Sequence, residues 1–218
     1  MSPLVIDRLI AGIFDTLMMI GASGLITLAL GLPLALLLVA TGKDGIFEQR
    51  IVNSAVGSVV NVIRSVPFLI LMVALIPFTR LLVGTSYGVL GAIVPLTVAS
   101  VPFFARIAEV SLREVDRGLI EAAQSMGCNR WHIFWHVLLP EARPGIIGGF
   151  TITIVSMINA SAVAGAIGAG GLGDLAYRYG YQRFDTQVML TVIVLLVILV
   201  TMIQLTGDRL AFMLNKKA

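Results

Sequence analysis

Residues 186–207 read TQVMLTVIVLLVILVTMIQLTG and contain no charged side chain. The hydrocarbon core of a bilayer is about 30 Å thick, and a helix of about 20 apolar residues crosses it. Because lipid offers no hydrogen-bond partners, the backbone of one such segment must satisfy its own polar groups, as a helix does. The stretch therefore predicts a membrane-spanning helix.

Four more long apolar stretches precede it, and only one charged residue, Arg64, lies in the interior of any of them. The sequence therefore predicts an all-α, polytopic membrane protein with five transmembrane helices in a single domain, residues 1–218. The predicted spans are 16–41, 51–78, 84–106, 144–168 and 186–207, and a charged connection, 107–143, joins the third span to the fourth.

The composition indicates the same class of protein. The 218 residues are 58% hydrophobic and 12% charged, with a mean hydropathy of +0.98, whereas soluble domains carry about 25% charged residues. The net charge is +3, but no cluster of lysine or arginine points to nucleic acid. One cysteine, Cys128, excludes an intrachain disulfide framework. Asp7 and Asp15 interrupt the N-terminal segment, so we expect no cleaved signal peptide.

Prolines punctuate the predicted spans. Pro33, Pro67 and Pro95 each lack a backbone donor and are expected to kink a helix. Pro67 follows Arg64 closely, so the second span is expected to bend near a buried charge. Arg64 could line the inner end of a pathway or pair with a carboxylate such as Glu109, since intramembrane charges are often functional. The alternative is that it snorkels toward the cytoplasmic interface.

The distribution of basic residues predicts an orientation. With the N-terminus outside, ten of the fifteen lysines and arginines fall on the cytoplasmic side and four on the outer side. Cytoplasmic loops of membrane proteins carry an excess of basic residues. The N-terminus is therefore predicted outside and the C-terminus in the cytoplasm.

The connection between the third and fourth spans is unusual. Residues 106–143 hold five arginines and five acidic residues, and their apolar residues fall near helical spacing. This pattern predicts an ordered helical segment in the cytoplasm that docks a soluble partner. The alternative is an amphipathic helix on the lipid surface, which the balanced charge disfavours.

A spaced motif lies in this connection: Glu-Ala-Ala, three residues, Gly, nine residues, an aliphatic residue, any residue, Leu and Pro. It resembles the EAA loop of ABC importer permeases. The resemblance implies the type I ABC importer permease fold and a coupling contact with a separate ATPase. The residues that would make this contact are Glu121, Ala122, Ala123, Gly127, Leu139 and Pro140.

The residue types in the motif suit a rigid helical elbow. Glu121 is expected in the first turn of a short helix, where the helix dipole favours a carboxylate. Gly127 is expected to end that helix, because glycine adopts backbone conformations that other residues resist. A second short helix is expected over 131–138, and Pro140 is expected to stop it and return the chain to the membrane.

Segments outside the loop are similar to those of methionine ABC importer permeases: RSVPF (64–68), IPFTR (76–80), VGTS (83–86), AIVPLTV (92–98), GAGGLG (168–173) and YGY (179–181). The resemblance implies a bacterial inner-membrane homodimer, two cytoplasmic ABC ATPase subunits and an extracytoplasmic methionine-binding lipoprotein. The chain lacks Gly-x-x-x-x-Gly-Lys-Ser/Thr, so ATP and Mg are expected on the partner, and no cofactor or metal on this transporter subunit. Another small amino acid is the alternative substrate.

The translocation pathway is expected along the second and fourth spans. Polar residues lie midway along the fourth span, beside apolar residues that could form a gate. Hydrogen bonding between helices is the alternative role of the polar residues. The candidate pathway residues are Arg64, Pro67, Ser156, Met157, Asn159 and Val163.

Two further motifs carry weaker signals. The GAGGLG segment fits a dinucleotide fingerprint, but no strand is expected before it, so we interpret it as a tight outer turn. His132 and His136 share a helical spacing without a third metal ligand. An intramembrane enzyme is the alternative of a different class, but the spans contain no catalytic constellation. A passive channel would not need the elbow.

Overall fold

The computed structural model describes residues 3–43, 45 and 47–215. All regular secondary structure in these ranges is helical, as the sequence predicts. The α-helices are α1 (Pro3–Thr41), α2 (Arg50–Ser65), α3 (Phe68–Ala74), α4 (Ile76–Val83), α5 (Gly88–Arg113), α6 (Arg117–Ser125), α7 (Arg130–Ile133), α8 (Leu139–Ala164), α9 (Gly171–Leu175) and α10 (Thr186–Leu214). Three short π-helical segments follow α7, α8 and α9: Phe134–Leu138, Gly165–Ala169 and Ala176–Tyr181.

Among the described residues, the stretches long and apolar enough to cross a bilayer are Val5–Thr41, Gly88–Arg113, Arg130–Ala169 and Thr186–Leu214. A fifth crossing requires α2 and α3 together, which meet at an angle of 103°. The five predicted spans thus correspond to four helical stretches and one bent pair. Several of these helices extend beyond the predicted limits, whereas α5 begins inside them, at Gly88, and α3 ends inside them, at Ala74.

The break between α2 and α3 lies at Val66 and Pro67. Val66 is extended, with φ −85° and ψ 125°, since the residue before a proline is sterically disfavoured from the helical region. The predicted bend near Pro67 is confirmed, and the predicted span over 51–78 corresponds to the bent pair of α2 and α3. By contrast, α1 and α5 continue as helices through Pro33 and Pro95.

The centre of the bundle is α5, which packs against α1, α2 and α8. Its Phe104, Ala105, Ala108 and Leu112 are buried against these neighbours. On α1, Gly31 allows the close approach, because a Cβ atom there would lie 2.8 Å from the Phe104 ring. Lipid gives apolar helices no hydrophobic reason to associate, so close packing at small residues stabilises the bundle.

The bundle has two ends that carry different features. We call the end that carries α6, α7 and the turn at Gly42 and Lys43 the elbow end. We call the end that carries the turn 168–173 and α9 the glycine end. There the hydroxyl of Thr16 accepts a hydrogen bond from Leu172 N at 2.9 Å, which ties the turn to α1.

Candidate coupling elbow and transport pathway

The first part of the elbow is α6. The Asp116 carboxylate accepts a hydrogen bond from Gly118 N at 2.8 Å and so caps this helix, which begins at Arg117. Such a cap satisfies one of the free N–H groups at a helix start. Glu121 lies in the second turn, so its predicted position in the first turn was wrong. Asp116 supplies the N-terminal carboxylate instead.

The turn after α6 requires a glycine. Gly127 has φ 79°, in the left-handed region. Its N–H donates to Gln124 O at 2.9 Å, and Cys128 N donates to Ala123 O at 3.1 Å. This pair of hydrogen bonds is a Schellman motif, which closes a helix at a left-handed residue. The prediction that Gly127 ends the first short helix is confirmed.

The second part of the elbow is continuous with a membrane-spanning helix. The Asn129 side chain caps α7 by accepting from His132 N at 2.7 Å. From there the helix continues without a break to the end of α8 at Ala164, and the backbone leaves the helical conformation at Ile167 and Gly168. The prediction that Pro140 stops the second helix was wrong. A proline within a helix clashes with the carbonyl one turn earlier, and the wider π-helical turn of Phe134–Leu138 just before it accommodates the ring.

The elbow exposes part of the predicted coupling set. Glu121, Ala122 and Gly127 are exposed, Ala123 is buried, and Leu139 and Pro140 are half-buried. Apolar side chains that were not predicted add to this surface: Met126 is 76% exposed, Trp131 is 60% exposed and Trp135 is 50% exposed. Aromatic residues and methionine are enriched at protein interfaces. The sequence signal for these three residues was the presence of large apolar side chains within an otherwise polar connection.

A buried carboxylate lies where the elbow joins the bundle. Glu109 on α5 is 5% exposed. Its two oxygens contact Arg106 at 2.6 Å and Arg113 at 2.9 Å. Arg106 also donates to the side-chain oxygen of Asn61 on α2 at 3.0 Å. The Glu109 cluster, comprising these four residues, links α5 to α2. The suggested pairing of Glu109 with Arg64 was wrong, because its two arginine partners come from its own helix.

The middle of α8 presents one exposed face. Ile152, Ser156, Asn159 and Val163 are exposed and follow one another at steps of four, three and four residues, which places them in one row along a helix. Met157 is 1% exposed and packs inside the protomer. The predicted Ser156, Asn159 and Val163 therefore share a face, whereas Met157 does not lie on it.

A second row of polar residues lies on α2 and was not predicted. Ser54, Ser58, Asn61 and Ser65 follow at the same steps and are all exposed. A helix with one polar and one apolar face does not place the polar face in lipid. The signal was present in the sequence as hydrophilic residues at helical spacing within an apolar span. We call these four residues the α2 stripe. Arg64, also exposed, lies in the last turn of α2 next to Ser65, the last residue of the stripe.

The two weaker motifs have structural roles. Gly168, Gly170 and Gly171 all have positive φ, and the segment forms a tight turn between helices, as predicted. His132 and His136 stack with ring centroids 4.2 Å apart. Among the described residues, no group of three or more potential ligands could hold a metal ion.

These features define a polytopic helical membrane protein with a rigid projection at one end and polar helix faces midway through the bundle. Residues 31–218 match the family described as "Binding-protein-dependent transport system inner membrane component", and the chain belongs to that family. Membership confirms the predicted multi-pass inner-membrane protein, a transporter component rather than an enzyme.

Individual relatives narrow the resemblance. The chain is 50% identical to the probable D-methionine transport system permease protein MetI of Vibrio cholerae over 204 residues, 94% of this chain and 91% of the relative. It is 45% identical to the methionine import system permease protein MetP of Bacillus subtilis over 181 residues, 83% and 82% of the two chains. The predicted resemblance to methionine importer permeases is confirmed.

Solved structures match over the whole fold. A chain of the inward-facing MetNI methionine ABC transporter superposes with a TM-score of 0.95 at 46% identity, covering 98% of this chain and 99% of that one. An amino acid ABC transporter solved with histidines matches with a TM-score of 0.73 at 22% identity, over 97% and 94% of the chains, which shows a shared fold. The predicted importer permease fold is confirmed.

Proposed function

We propose that this chain is the membrane-spanning subunit of an ATP-driven importer and moves methionine across the cytoplasmic membrane by alternating access. It acts as a homodimer. Two cytoplasmic ABC ATPase subunits bind the elbows and use ATP and Mg, and an extracytoplasmic methionine-binding lipoprotein delivers the substrate. The N-terminus is outside and the C-terminus cytoplasmic, so the elbow end faces the ATPase.

One observation carries the proposal. Part of the surface proposed for ATPase coupling lies on the same helical stretch as the face proposed for the pathway, residues 130–164. Trp131 and Trp135 are exposed near its start, and Ser156 and Asn159 are exposed beyond its middle. Movement of the elbow would therefore move the pathway face directly. Rigid-body rocking of helix bundles is the usual way in which transporters alternate access.

The elbow is tested at Gly127. A side chain there meets open space, since no atom lies within 4 Å of a Cβ built on it. A substitution therefore acts on the backbone conformation, and a left-handed residue costs about 1–2 kcal/mol for residues other than glycine and asparagine. Gly127→Val is expected to weaken association with the ATPase about tenfold, which is about 1.4 kcal/mol. Gly127→Asn is the matched control and should retain association.

The assay is performed on proteoliposomes that contain the chain, its ATPase and the binding protein. ATPase association and labelled methionine uptake are measured for both variants, with membrane insertion checked by protease protection. Equal association of the two variants would exclude the elbow as the coupling surface. Uptake of other small amino acids in preference to methionine would leave the coupling intact and replace the substrate.

A further inference from the structure

Arg64 is exposed in the last turn of α2, at the end of the α2 stripe. In the part of the chain that the structure describes, no carboxylate lies within ion-pair distance of it. Glu109, which would be the nearest candidate by helix position, is occupied by Arg106 and Arg113. A cation within a membrane span is costly unless it faces a partner or water. Its surroundings must therefore supply water or a negative charge.

The depth of Arg64 follows from the neighbouring helix. Ile63 lines a cavity together with Thr97 and Val98 of α5. Since α5 runs over Gly88–Arg113, Thr97 and Val98 lie near its middle. At 1.5 Å per residue, α5 is about 39 Å long, enough to cross the hydrocarbon core. Arg64, which follows Ile63, is therefore placed near the level of Thr97 and Val98.

The exposed face of α8 lies at the same depth. A Cβ at Gly145 would meet Ser111, and one at Gly149 would meet Ile107. Four residues forward on α8 thus correspond to four residues back on α5. Continuing this antiparallel register brings Asn159 level with Thr97, and so with the end of α2. The exposed polar faces of α2 and α8 therefore lie at the same depth in the membrane.

We propose that Arg64 is a fixed positive charge at the centre of the translocation pathway, which attracts the carboxylate of the zwitterionic substrate and repels cationic solutes. This inference rests on the proposed function. A guanidinium offers several N–H donors in a geometry that suits a carboxylate. Because Arg64 is exposed rather than enclosed, its attraction assists passage without holding the substrate, as conduction requires.

The test measures the charge of the pathway by the reactivity of a single cysteine. In the assembled transporter with Cys128→Ser, Ser58→Cys places a thiol on the α2 stripe six residues before Arg64, about 9 Å along the helix axis. The thiol is treated with methanethiosulfonates that carry either a sulfonate or a trimethylammonium group. Ile198→Cys provides the lipid control, since Ile198 is an exposed apolar residue of α10.

If the inference holds, both reagents modify Ser58→Cys and neither modifies Ile198→Cys. The anionic reagent reacts faster once both rates are divided by those for a free thiol in water. Arg64→Gln is expected to lower this preference about tenfold, given the Coulomb attraction of charges separated by this distance. Arg64→Lys, which keeps the charge, should retain the preference, and Arg64→Gln should lower methionine uptake more than Arg64→Lys.

Each outcome decides a separate point. An unreactive Ser58→Cys would place the α2 stripe outside water and overturn both the pathway and the role of Arg64. A reactive cysteine without an anionic preference, or with a preference that survives Arg64→Gln, would overturn the role of Arg64 alone. The absence of an anionic preference is also the result expected if a carboxylate of a second copy of the chain neutralises Arg64. Should Arg64→Gln fail to assemble, Arg64→Met, a second neutral variant, supplies the same comparison.

Discussion

Replacing Glu109 with alanine should destabilise the protein more than the loss of an exposed ion pair does. Glu109 is 5% exposed and holds two arginines, at 2.6 Å and 2.9 Å. Glu109→Ala leaves both Arg106 and Arg113 without the carboxylate that they share. It also frees Arg106, whose other contact is Asn61 on α2. The substitution therefore weakens the link between α2 and α5.

The magnitude follows from the burial of the three groups. Removing one partner of a fully buried ion pair costs about 3–5 kcal/mol, whereas an exposed pair contributes less than about 1 kcal/mol. The Arg106 and Arg113 side chains are 29% and 44% exposed and can regain some hydration. We therefore expect a loss of about 2 kcal/mol. For a chain of this length that lowers Tm by roughly 4–8 °C.

The measurement is thermal unfolding of the purified chain in nanodiscs at one heating rate, followed by tryptophan fluorescence. Both tryptophans, Trp131 and Trp135, lie in the elbow, so the signal reports the end that the cluster supports. Arg50→Ala is the control, because it removes an ion pair in which Arg50 is 81% exposed. A Glu109→Ala shift no larger than that of Arg50→Ala would refute the reasoning.

Two further substitutions test helix contacts by the same thermal assay. Gly207→Ala puts a methyl group against the Thr151 side chain on α8, and the forced separation of the helices is expected to cost about 1–3 kcal/mol. Gly21→Ala is the control, because a Cβ there meets open space, and it should be neutral or slightly stabilising. Equal Tm values for the two variants would contradict the packing of Gly207. Thr16→Val removes the acceptor for Leu172 N and is expected to cost about 1–3 kcal/mol, while Thr16→Ser should preserve most of the stability. Equal Tm values for the Val and Ser variants would show that this hydrogen bond does not stabilise the protein.

Sequence reasoning succeeded where one local property decides the structure. Long apolar runs located the four long helical stretches and the bent pair of α2 and α3, because the bilayer imposes a minimum length on each crossing. The glycine at 127 predicted a helix end, since few other residues adopt its backbone conformation at low cost. Pro67 predicted a bend for the same kind of reason. In each case the residue type restricts the backbone regardless of what packs against it.

It failed where the outcome depends on neighbours. Pro140 carries the same local restriction as Pro67, yet the helix continues through it, because the π-helical turn before it changes the backbone register. Met157 and Ser156 are adjacent in sequence, and only the packing of α8 decides which of them is buried. The partners of Glu109 were equally ambiguous, because several arginines are available in this part of the chain.

The continuity of the helix over residues 130–164 has a mechanical consequence under the proposed function. Residues 130–164 span about 52 Å at 1.5 Å per residue, and α8 packs closely against α5 at Gly145 and Gly149. From there the elbow lies about 25 Å away in one direction, and Asn159 about 18 Å away in the other, at 1.5 Å per residue. Rotation about this contact would convert a 5 Å movement of the elbow into one of about 3–4 Å at the pathway. A displacement of that size is comparable to the width of a side chain. A helix broken at Pro140 would not transmit movement of the elbow to the pathway face, since the elbow could then move without turning α8.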